Sequence, residues 1–398
     1  STAPHCLNND GLLSTNLACS SNGASDIVTL LGKDQNSISV DSPVAYFHPW
    51  SYQPVCTQVL ESIGSELCVY TNSTFSNGRG ISIFTLPKIA EHFAKLLPFQ
   101  DPTALDGINS RGGSWYTEEL PGKGTGLIAD RILERGDLIT AYTPVLLVYM
   151  DKVLSTRDRE IFLRIAIDQL PSASRKAYLS LSTIYGNPTV IAQDVLKANN
   201  FEIQVRREMH LAVFPETSRM NHDCAPNSQY YLDPARLIHY VHAARSISTN
   251  EEITISYTSP LQPYADRRSY LQNAFHFICR CARCKSGKYS DAILTQINSL
   301  QKMLANWSPG STATTEIADE LVRLYEEQDL HGFLDSGYGL AALTYNSFGD
   351  TEVAKKYAKL AAEIVAMKDG PEVADYESWN SVANDPEGHW SWRARVSR

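Results

Sequence analysis

Short apolar runs broken by glycine and proline fill the first half of the chain, and stretches of helical period fill its last third. Leu67-Cys68-Val69-Tyr70 reads as a strand, Gly78-Arg79-Gly80 as a turn, and residues 81–85 as a second strand. Pro87 then opens a helix with an apolar period over residues 89–97, because its fixed φ suits a first helical position. Residues 138–149 are strand-like and lead into a helical insert, residues 157–199, where Phe162, Ile165, Leu170, Ala177, Leu181 and Ile184 supply apolar faces. Glu251-Glu252-Ile253-Thr254-Ile255-Ser256-Tyr257 alternates, so a strand there buries Ile253, Ile255 and Tyr257 on one side. Beyond residue 286 the period becomes helical almost to the end. Ile293, Ile297, Leu300 and Leu304, then Ile317, Leu321 and Leu324, then Val353, Tyr357, Leu360 and Ile364 each mark one helix face.

Length and composition narrow the reading. At 398 residues the chain exceeds what one core usually fills, which predicts two or three packed units. Its 43% hydrophobic and 20% charged residues are globular values, and no apolar run approaches the roughly 20 residues that span a bilayer. A net charge of -9 argues against general affinity for nucleic acid and is compatible with a basic peptide partner. Residues 1–69, rich in Ser, Asn, Gly and Pro, read as an irregular extension held by its cysteines and aromatics.

The chemistry concentrates between residues 218 and 284, where three features fall in one order. Asn221-His222 is followed by Cys224 and Pro226-Asn227, the alternating strand ends in Tyr257, and Cys279, Cys281 and Cys284 form a Cys-x-Cys-x2-Cys cluster. Upstream, Gly122-Lys123-Gly124-Thr125-Gly126 is followed by Arg131-Ile132-Leu133-Glu134-Arg135-Gly136-Asp137, a sequel that Gly78-Arg79-Gly80 lacks. Together these residues resemble the SET-domain protein lysine methyltransferases, specifically their SMYD-like branch, over about residues 70–365. Cys68 and Cys224 have no cysteine between them, so the MYND finger that interrupts such domains is absent, and its partner-binding role does not carry over.

The resemblance implies an α+β protein: a SET-domain β-fold with a helical insert, a post-SET zinc site and a C-terminal helical, tetratricopeptide-like domain. The last is signalled by Ala341-Ala342-Leu343-Thr344-Tyr345-Asn346 and its sequel. The implied units are 1–69, 70–156, 157–199, 200–260, 261–286 and 287–398. The resemblance further implies S-adenosylmethionine bound by the backbone of Lys123, Gly124 and Gly126 and by Asn221 and His222, with Phe275 or Phe277 against the adenine. Tyr257 becomes the catalytic residue, also touching the cofactor. Cys224 joins Cys279, Cys281 and Cys284 as zinc ligands. Three cysteines in six residues cannot readily pair with one another, whereas thiolates so spaced can wrap one tetrahedral ion. The implied substrate is a lysine-bearing protein or peptide; oligomeric state is unread.

Four of the eight cysteines remain: Cys6, Cys19, Cys56 and Cys68, all in the first 70 residues. Their even number predicts two disulfides, in one of three pairings, and an oxidising compartment; four reduced thiols in a cytosolic chain is the alternative. The chain begins Ser1-Thr2, as a processed mature form or a trimmed fragment would. The leading expectation is methyl transfer to a lysine side chain. Its rival is a secretory-route SET scaffold without that activity, acting as a binding protein or in another small-molecule reaction. Location is expected to be secretory or extracellular rather than cytoplasmic or nuclear.

Overall fold

The computed structural model describes residues 47–396, so Cys6 and Cys19 lie outside the described residues. In chain order the strands are β1 (Val55–Cys56), β2 (Cys68–Asn72), β3 (Ile81–Thr85), β4 (Trp115–Leu120), β5 (Gly124–Ala129), β6 (Leu138–Tyr142), β7 (Leu146–Tyr149), β8 (Asn200–Val205), β9 (Glu208–Val213), β10 (Asn221–His222), β11 (Ser228–Asp233), β12 (Ile238–Ala243) and β13 (Glu252–Ile255). They form a six-stranded sheet, β1-β2-β3-β7-β9-β8, a four-stranded sheet, β10-β13-β5-β4, and a three-stranded sheet, β11-β12-β6. Inward side chains of all three sheets, among them Ile83, Leu127, Tyr142, Ile203, Val241 and Ile253, share one core. Each such large side chain stabilises the fold by roughly 1.5–3 kcal/mol on burial.

Two expectations change. The strand-like run 138–149 is two strands in different sheets, β6 and β7. Pro144 lies between them without a backbone N–H, so no ladder continues through it, while Thr143 N donates to Asn109 Oδ1 at 2.8 Å. The N-terminal segment, where described, is also more ordered than an irregular extension. β1 pairs antiparallel with β2, a Cys56–Cys68 disulfide joins the two strands, and Trp50 packs on Tyr70 and Phe99 with centroids 5.3 and 5.5 Å away. β2 thus runs across the expected boundary at residue 69.

The insert is helical. Helices Thr156–Asp168, Ser172–Leu179 and Ile191–Asn199 lay Leu163, Ile167, Tyr178 and Val195 on Val69, Phe84, Val148 and Val213 of the six-stranded sheet. Buried Glu160 accepts from the backbone N–H groups of Ala192 and Gln193 at 3.1 and 3.0 Å, a carboxylate set against a helix N-terminus where the dipole favours it.

Five helices, Gly287–Leu304, Thr315–Glu327, Asp335–Phe348, Thr351–Lys368 and Ala374–Asn384, make the C-terminal region and enclose their own core. Trp379 covers them: a Cβ on Gly339 would lie 2.4 Å from its ring. The region docks on the sheets through Gln229 Nε2, which donates to Gly332 O at 2.9 Å, and Arg135, which pairs with Glu363 at 3.3 Å. Among the described residues no helix is long and apolar enough to cross a membrane.

Candidate active site

β4 and β5 form an antiparallel hairpin whose turn closes where Lys123 N donates to Leu120 O at 3.0 Å. Gly124 has φ +74°, and a Cβ there would meet nothing within 4 Å, so this face of the turn is open. Two residues on, the strand is crowded: a Cβ on Gly126 would lie 2.6 Å from Leu120 Cδ1 and 3.1 Å from Asn221 Nδ2. Only glycine lets β5 approach that closely. Glu252 of β13 ties the hairpin turn to β10, accepting from Lys123 Nζ at 2.5 Å and Asn221 Nδ2 at 2.9 Å. Glu252, which opens β13, carries no site signal in the sequence, although it lies five residues before Tyr257.

Asn221 and His222 form β10, which runs parallel to Thr254 and Ile255 of β13. The segment stays there because Asn227 binds β13 from both ends of its amide: Nδ2 donates to Glu252 O at 2.8 Å and Oδ1 accepts from Thr254 N at 2.9 Å. The buried His222 ring is also committed. Its Nδ1 accepts from Tyr257 N at 2.9 Å, which puts the proton on Nε2, 3.2 Å from Cys224 Sγ. Burial pushes its pKa down to about 3, so the ring is neutral. The imidazole therefore joins the tyrosine segment to the cysteine cluster.

Tyr257 lies two residues past the end of β13, half-buried, and its hydroxyl donates to Met220 O at 2.7 Å. Burial, then the Glu252 charge, raises the phenol pKa, so the group is a neutral donor. Its ring centroid stands 5.0 Å from Phe275, 5.4 Å from His222 and 6.5 Å from Phe277. Phe275 ends helix Tyr264–Phe275, and His276, at φ 58°, turns the chain so that Phe277 returns beside His222. A cavity of about 440 Å³ opens against this segment. Ser256 and Thr258 line it from either side of Tyr257, Glu202 and Tyr230 from the sheets, and Phe333 and Lys368 from the C-terminal helices.

The sulfur atoms of Cys224, Cys279, Cys281 and Cys284 all lie within 4.8 Å of one another, with Cys224 and Cys284 3.6 Å apart and none of the four in a disulfide. A tetrahedral zinc thiolate with bonds of about 2.3 Å has sulfurs about 3.8 Å apart, so this donor set fits that ion.

The hairpin, the Asn-His segment, Tyr257 and the two phenylalanines thus converge on one region, with the cysteines behind it. Residues 124–258 match the SET domain family. SET domain-containing protein SmydA-8, isoform A, of Drosophila melanogaster is 38% identical over 107 residues, 25% of this chain and 23% of that protein. Histone-lysine N-methyltransferase set5 of Schizosaccharomyces pombe is 26% identical over 283 residues, 68% of this chain and 83% of that protein. N-lysine methyltransferase SMYD2 of Homo sapiens is 32% identical over 107 residues, 26% of this chain and 24% of that protein. The chain therefore matches less than a quarter of the length of the Drosophila and human relatives.

Proposed function

We propose that this chain, which carries a SMYD-like SET domain over residues 124–258, is an S-adenosylmethionine-dependent methyltransferase acting on a lysine side chain of a protein or peptide. The observation that carries the reading is Tyr257: its hydroxyl is fixed on Met220 O at 2.7 Å, its ring stands among those of His222, Phe275 and Phe277, and its chain neighbours Ser256 and Thr258 border the cavity. When bound, the cofactor supplies an electrophilic methyl group on a sulfonium. The chain's task is alignment of donor and amine and exclusion of water.

Lys123 and Gly124 offer backbone groups on the open face of the hairpin, and Gly126 offers its own two residues on, where β5 packs close against Asn221. Asn221 presents its amide beside them, its nitrogen already held by Glu252. Phe275 and Phe277 provide aromatic faces for the adenine, a stacking contact of roughly 1–3 kcal/mol. His222 contributes main chain and position, since both its ring nitrogens are engaged within the protein. The amine must reach the Tyr257 hydroxyl, whose ring stands among those of Phe275, His222 and Phe277. A lysine amine of pKa about 10.4 must lose its proton first, and these apolar walls disfavour the ammonium form. Cys224, Cys279, Cys281 and Cys284 hold one structural zinc, which fastens the segment after Tyr257 against the Asn-His segment.

The decisive experiment pairs calorimetric titration of S-adenosylmethionine with the Tyr257→Phe variant. Wild type binds the cofactor; the variant binds it with similar affinity but methylates a basic test peptide at least a hundredfold more slowly. No cofactor binding by wild type, or an undiminished rate in the variant, sinks the reading. Asn221→Ala instead weakens the titration itself.

The Cys56–Cys68 disulfide favours a second reading, in which the chain resides in an oxidising compartment as a SET scaffold without methyl transfer. Non-reducing peptide mapping of protein from its native source decides the compartment. Free thiols at Cys56 and Cys68 remove this reading.

A further inference from the structure

Arg283 is buried next to Cys284, and Arg267 is buried in the helix that packs on the four cysteines, near enough for its charge to act on Cys284; they are 4% and 0% exposed. Arg267 Nη1 donates to Gln262 O at 2.5 Å, while its Nε and Nη2 are buried without a hydrogen-bond partner. Arg283, set between Cys281 and Cys284, donates from Nη1 to Cys224 O at 2.7 Å and Pro260 O at 2.9 Å; its Nη2 is likewise buried and unpartnered. Among the described residues neither forms an ion pair with a carboxylate. The two guanidinium groups repel each other.

Two buried cations resting on neutral carbonyls are costly unless an anion lies close. Four protonated thiols carry no charge, and neither do two disulfides. Four thiolates on one dipositive ion carry -4 + 2 = -2, which equals and opposes the two arginines. On the zinc reading given above, we propose that Arg267 and Arg283 are the counter-charges of a dianionic tetrathiolate zinc centre at Cys224, Cys279, Cys281 and Cys284, and that they set how tightly the metal is held. Arg283 also binds the carbonyls of Cys224 and Pro260, so the same side chain spans the cysteine after the Asn-His pair and the chain just past Tyr257.

The test is zinc retention in the full chain, measured by competition with a chromophoric chelator after metal analysis of wild type. Arg267→Met keeps the side chain's bulk and removes its charge; it should weaken zinc binding by roughly 10- to 100-fold, the range for outer-sphere partners of a metal site. Arg267→Lys keeps the charge and should stay within about threefold of wild type. If Arg267→Met does not fold, the lysine variant still decides, because loss of zinc with the charge retained overturns the proposal. Equal zinc affinity in wild type and a folded Arg267→Met also overturns it while leaving the zinc site standing. Folded wild type without zinc overturns the zinc reading and this proposal together.

Discussion

Gly78-Arg79-Gly80 and Gly122-Lys123-Gly124 are both glycine-flanked basic turns, and the fold uses them in opposite ways. The first is open at Gly78 but filled with protein at Gly80 and Arg79. A Cβ on Gly80 would lie 2.4 Å from Pro171 Cδ, and Arg79 forms a two-pronged pair with Glu216 at 2.9 and 2.7 Å while donating from Nε to Thr143 O. The second faces open space: nothing lies within 4 Å of a Cβ on Gly122 or Gly124, and Lys123 is half exposed. The same local spelling thus makes a packing joint in one place and an accessible backbone surface in the other. What differs is the partner that long-range folding brings, the helical insert for Gly80 and the Asn221–Glu252 pair for the second turn.

Substitution should separate the two turns. Gly80→Ala adds positive-φ strain of roughly 1–2 kcal/mol to overpacking of roughly 1–3 kcal/mol against Pro171. Urea unfolding should show a loss of roughly 2–5 kcal/mol, with cofactor affinity of the folded protein unchanged; a loss near zero would erase the contrast. Arg79→Ala leaves the largely shielded Glu216 carboxylate without its partner and should cost about 1–2 kcal/mol in the same measurement. Gly124→Ala should cost only the backbone strain, roughly 1–2 kcal/mol, yet weaken S-adenosylmethionine binding at least tenfold by calorimetry. Unchanged affinity would show that the open face of the turn is not the binding surface. Lys123→Ala should alter stability least, by about 0.5 kcal/mol, because its pair with Glu252 is exposed on the lysine side, and added salt should shrink even that.

Much of the site was legible because its chemistry is local. Cys279, Cys281 and Cys284 are too close in sequence to pair readily, and Gly122 to Gly126 announce a tight turn entering a strand. Glu252 and Arg283 were not legible. An acidic residue opening a strand and an arginine between cysteines are ordinary surface spellings, and only distant partners give them work: Lys123 and Asn221 for one, Cys224 O and Pro260 O for the other. His222 was read toward a ligand, and the structure commits its ring to Tyr257 N and Cys224 Sγ.

By itself, then, the sequence determined the helical faces of the insert and the C-terminal region, the alternating strand into Tyr257 and the cysteine spacing, because each depends on residues a few positions apart whose period or strain is fixed by backbone geometry. Tertiary structure alone decided that residues 138–149 divide between two sheets at Pro144, that β10 lies parallel to β13, and that Cys224 meets three cysteines 55 to 60 positions later. Those outcomes turn on which surfaces exclude water together. Such pairings are chosen by burial across the whole chain, and no local pattern encodes them.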